Sequence, residues 1–96
     1  MLEIERLADM LEVADIPFGR RDEDNWFRSQ IVYPDCAPLD VVCSVVQGTH
    51  TYGGLENRLE IMGLLTEEEL EHDDVCGWLT AEDVFARIKA HWENSK

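Results

Sequence analysis

The chain has 96 residues, enough for one small domain, 1–96, and not for two independent cores. It carries 21 acidic residues against 8 Lys and Arg, a formal net charge of −13, with 45% hydrophobic residues. That apolar content excludes wholesale disorder. The charge argues against direct nucleic-acid binding, which runs on Lys and Arg. No apolar run approaches a membrane span.

In chain order, residues 2–14 predict an amphipathic helix. Ile4, Leu7, Met10, Leu11 and Ala14 form one stripe, and Pro17 is expected to end it. The opening MLEIERLADMLE is acidic and amphipathic, unlike a secretory signal, so a cytoplasmic location is expected. Residues 18–25 are polar and read as a turn with at most a short strand beside it. Trp26–Tyr33 reads as a strand, with Phe27, Ile31 and Tyr33 on one face and Arg28 and Gln30 on the other. Pro34 stops it, and PDCAPLD connects it to Val41–Val46. That second segment is β-branched and apolar on both faces, as befits a central strand paired antiparallel with the first.

The GTHTYGG stretch from Gly48 to Gly54 reads as a loop. Leu55–Met62 has helical spacing through Leu55, Leu59 and Met62, and Gly63 stands where a helix C-terminal glycine belongs. Two helix starts share one grammar. Leu65-Thr66-Glu67-Glu68-Glu69-Leu70 offers Thr66 as N-cap, Glu69 as its box partner, and Leu65 with Leu70 as a hydrophobic staple. Leu79-Thr80-Ala81-Glu82-Asp83-Val84 repeats the plan with Asp83. Helices are predicted at 67–72 and 81–93, the second burying Val84, Phe85, Ile88 and Trp92. The fold class expected is α+β, a small antiparallel sheet packed against N-terminal and C-terminal helices.

Candidate chemistry is sparse. Cys36, Cys43 and Cys76 are an odd number of cysteines, expected as reduced thiols. They form no C-x2-C pair, and His72-Asp73-Asp74 with Cys76 is the one close cluster of metal-ligand types; no metal and no cofactor is expected. Cys43 with His50 is the one nucleophile–base pairing to consider, but a cysteine on a valine-rich strand is ordinarily inert core. Gly53-Gly54 before an acidic segment lacks the lysine of a phosphate loop. Trp26, Tyr52, Trp78 and Trp92 read as core, with Trp78 packing at the start of the last helix, whereas an exposed Trp26 or Tyr52 would be an interface anchor.

The acidic segment stands out. From Leu55 to Asp83 ten carboxylates face the single Arg58, a net of −9. Such a run is either a solvated face that keeps the chain soluble or a surface that docks on a basic cleft. Glu67, Glu68, Glu69, Glu71, Asp73 and Asp74 are the candidate partner contacts. A competitor for the cations that bind DNA would act as a DNA mimic.

From Ile31 to Ile88 the strings IVYP, VCSVVQGTHTYGG, LEIMGLLTEEE and VCGWLTAEDVFARI resemble short acidic proteins of phages and prophages of gram-positive gut bacteria. In that group a leading helix, an I-V-Y-P strand, a Y-G-G turn, an L-E-I-M-G-L-L helix and a final helix follow in this order. The resemblance implies a phage-encoded accessory protein and transfers no residue assignments. It favours a non-enzymatic inhibitor that binds the basic surface of a bacterial or phage protein, such as a CRISPR or restriction nuclease. The alternative is a structural or assembly accessory that self-associates as a homo-oligomer through apolar and aromatic surface.

Overall fold

The structure is a computed structural model that describes residues 2–23, 28–35, 41–48 and 57–95. Helix α1 spans Glu3–Val13, strand β1 Gly19–Glu23, β2 Arg28–Tyr33, β3 Cys43–Gln47 and β4 Leu59–Met62. Helix α2 spans Glu67–His72, strand β5 Val75–Leu79 and helix α3 Ala81–Asn94. The strands form one antiparallel meander in the order β1-β2-β3-β4-β5. Helices α1 and α3 pack on each other, α1 also against β2 and β3, and α3 against β4. This is the α+β arrangement expected from the sequence.

The amphipathic stripe of α1 delivers Ile4, Leu7, Ala8 and Leu11 to the core. They meet Ile31 and Tyr33 of β2, Cys43 and Val45 of β3, Leu59 and Ile61 of β4, and Ala81, Val84 and Ile88 of α3. Phe85 and Trp92, expected to be buried, pack partly exposed at its margin. The helix ends by its own backbone. Ile16 N–H donates to Leu11 O at 3.0 Å and Asp15 N–H to Glu12 O at 3.1 Å, with Asp15 at φ 58. That is the Schellman pattern, and it closes the helix at Val13, before Pro17 is reached.

Three elements differ from the sequence reading. Residues 19–23 form a full edge strand rather than a turn, because β2 supplies a complete antiparallel register from Gly19↔Val32 to Glu23↔Arg28. The predicted Leu55–Met62 helix is instead strand β4. Leu59 and Ile61, two apart, are buried, while Met62 on the intervening face is 55% exposed. The helical spacing through Leu59 and Met62 was coincident with a period-two pattern, and pairing with β3 decides between them. Val75–Leu79, given no element by the sequence, is strand β5. Trp26, Phe27, Cys36, His50, Tyr52, Gly53, Gly54, Leu55 and Glu56 lie outside the described residues.

Gly63 does take the conformation expected of a terminating glycine, φ 94, but it ends a strand. A Cβ there would lie 2.3 Å from the Val42 carbonyl oxygen and 3.0 Å from Cys43 Cα, both backbone atoms that cannot swing aside. The Gly63→Ala substitution is therefore expected to destabilise the fold by about 2 kcal/mol or more, read as a lower urea midpoint at unchanged slope. An unaltered midpoint would show that the β3–β4 approach is looser than this geometry.

Candidate functional site

Both predicted capping boxes form. Thr66 accepts from Glu69 N–H at 3.2 Å while Glu69 accepts from Thr66 N–H at 2.9 Å. Thr80 and Asp83 exchange the same bonds at 3.2 and 3.1 Å. The first box starts α2, a helix of six residues with no buried side chain. Leu70, the proposed staple partner, is 54% exposed.

The six candidate carboxylates divide. Glu69 turns toward the fold and is half-buried. Its carboxylate accepts both Arg87 guanidinium nitrogens, each at 2.7 Å, and Cys76 Sγ–H at 3.4 Å. Arg87 Nη1 also donates to the Leu64 carbonyl at 3.1 Å. The group ties α2, β5 and α3 together at one corner. The Arg87 hydrogen bonds, then the Thr66 N–H, hold the Glu69 carboxyl well below the usual range against the opposing effect of burial. Conversely, burial first and the Glu69 hydrogen bond second push the Cys76 thiol up.

Glu67, Glu68, Glu71, Asp73 and Asp74 remain exposed. Among the described residues none of them enters a salt bridge, and Asp73 accepts only the neighbouring Asp74 N–H at 2.7 Å. At α3, Glu82 pairs with Arg6 and Asp83 is held by its cap.

Of the other candidate residues the described ones are Cys43, Cys76 and His72; Cys36 and His50 lie outside the described residues. Burial pushes the Cys43 thiol up to about 12, which keeps it protonated beside Tyr33, its register partner. Tyr33 Oη lies 2.8 Å from His91 Nδ1 with the rings edge to face. Cys76 belongs to the Glu69 corner, and among the described residues no three His, Cys, Asp or Glu side chains gather as a metal site. No described helix is long and apolar enough to cross a membrane.

One residue departs from its reading altogether. Trp78 does not pack at the start of α3; it is 62% exposed, on the edge strand, at φ 63. A bulky side chain in that left-handed region costs on the order of 1–3 kcal/mol. Sequence signalled the site only through Gly77 beside it, since its cause is a shift in register. Leu59 pairs with Leu79 and Ile61 with Cys76, so Gly77 and Trp78 together oppose Glu60 as a β-bulge.

Comparison with known proteins found no matching family model, no similar curated protein and no similar solved structure.

Two expectations follow from the Glu69 corner. Glu69→Gln loses the charge-assisted pair and should lower stability by about 1.5–3 kcal/mol, checked by chemical denaturation. Because the folded carboxyl titrates below its ordinary 4.5, its contribution is whole above that pH and fades as the pH falls further. The difference between wild type and Glu69→Gln should accordingly shrink on acidification below 4.5. A constant difference down to pH 2.5 would refute the ion pair as its source.

Proposed function

We propose that this chain is a non-enzymatic binding protein whose acidic surface docks on a basic protein surface and blocks it. The target class is a bacterial nucleic-acid-binding defence enzyme, such as a CRISPR or restriction nuclease, and the carboxylates stand where phosphates would. The setting that goes with this reading is the cytoplasm of a bacterial host.

The supporting observation is the division of the carboxylates. The fold uses Glu69 internally and leaves Glu67, Glu68, Glu71, Asp73 and Asp74 outside, without salt bridges among the described residues. Three of the five outward acids, Glu67, Glu68 and Glu71, lie on a helix about 9 Å long, and Asp73 and Asp74 follow it directly, so their fields add over a patch the size of a short phosphate run. A basic cleft gains long-range attraction and faster encounter from such a patch, and added salt screens both. The second reading, self-association through apolar and aromatic surface, draws on the exposed Met62, Leu70 and Trp78. It calls for association that salt does not weaken.

The test is DNA cleavage by a panel of restriction and CRISPR nucleases with the protein added at increasing salt. Inhibition of a susceptible enzyme should fade as salt rises. The triple variant Glu68→Lys, Glu71→Lys, Asp74→Lys leaves the Glu69 corner and both capping boxes intact. It should weaken inhibition about 100-fold with little change in melting temperature. Full inhibition by this variant would remove α2 and the loop after it from the contact.

A further inference from the structure

We propose that Trp78, displayed at the bulge of the β5 edge, is the aromatic anchor on which the docking surface receives an arginine of its partner. This inference rests on the acidic-docking reading and names the chemistry that reading leaves open.

The position is unusual on three counts. The indole is the most exposed of the large apolar side chains on the sheet, and β5 is the last strand. The backbone beneath it is left-handed, where glycine or asparagine is at ease and tryptophan is not. Leu64, the other bulky residue at positive φ, packs against the core and its carbonyl receives Arg87. Trp78 has no comparable contact among the described residues. Tryptophan is among the residues most enriched at the hot spots of protein interfaces.

Charge selects the occupant. The bulge places Trp78 and Gly77 opposite Glu60, and α3 begins just beyond, with Glu82 held by Arg6 and Asp83 by its cap, so the outward acids of α2 supply the charge unpaired among the described residues. The acidic helix α2 packs against the same strand. Arg58 is the single Lys or Arg between residues 57 and 83, and it donates to the Asn57 carbonyl. A second copy of this chain would bring like charges together, −13 against −13. The bulge also breaks the regular edge that strand addition would need. A cationic side chain therefore fits better than a strand. A guanidinium is preferred over an ammonium because its plane stacks on an indole face while its edge reaches neighbouring carboxylates.

The experiment measures binding of labelled deca-arginine and deca-lysine peptides at matched ionic strength to the full chain. Wild type should bind the arginine peptide about threefold to fivefold more tightly than the lysine peptide. Trp78→Gly should abolish that preference, and Trp78→Phe should keep part of it. Trp78→Gly should melt at the same temperature as wild type or higher, since it relieves the left-handed backbone. The triple Lys variant of α2 should lose affinity for both peptides and retain the arginine preference. Unchanged preference in Trp78→Gly, or none in wild type, overturns the anchor while the acidic reading stands. Undiminished affinity in the triple variant overturns the acidic reading itself.

Discussion

The Glu3 carboxylate is where the two long helices are joined. It is buried at the start of α1, yet it accepts the Ala81 N–H that opens α3 at 2.6 Å and Arg6 at 2.7 Å. Burial raises its pKa, but the Ala81 hydrogen bond, Arg6 and Arg58 outweigh that and leave it lowered. Arg6 reaches on to Glu82 in the first turn of α3. The free N–H groups of α1 are satisfied just as remotely. Asn57 Oδ1 accepts Glu3 N–H at 2.9 Å and Gln47 Oε1 accepts Ile4 N–H at 3.0 Å, while Gln47 donates to Asn57 at 2.8 Å. Leu2 provides no side-chain cap, so Gln47 of β3 and Asn57 in the turn before β4 cap the helix. Without this cluster α1 would present buried, unpaired donors, and the sheet would lose the helix that covers β2 and β3.

The acidic segment serves two purposes that charge counting merges. Part of it is architecture: Glu69 and Asp83 close capping boxes, Glu69 holds Arg87, and Glu82 holds Arg6. The remainder of α2 and the following Asp73-Asp74 project outward. Placing carboxylates in the first turn of α2 also suits the helix dipole, which lets a six-residue helix carry so much negative charge. Structural and surface charges alternate along a few residues, and so the outward set can be altered without dismantling the corner.

Sequence determined the elements whose signals are local. The stripe of α1, the two Thr-started helices with their boxes, an apolar strand over most of β3 and the antiparallel pairing of β2 with β3 follow from side-chain period and capping chemistry within a dozen residues. It also marked the acidic patch, because net charge is additive along the chain. Tertiary structure decided the rest, for reasons no local pattern contains. Strand β1 is polar and exists because β2 offers a ladder; β4 is a strand because pairing with β3 buries Leu59 and Ile61 together. Whether Glu69 faced solvent depended on Arg87, eighteen residues away on another helix. Whether Trp78 was core depended on a one-residue slip against β4. Hydrogen-bonding partners and register are properties of two segments at once, and a single segment's composition cannot specify them.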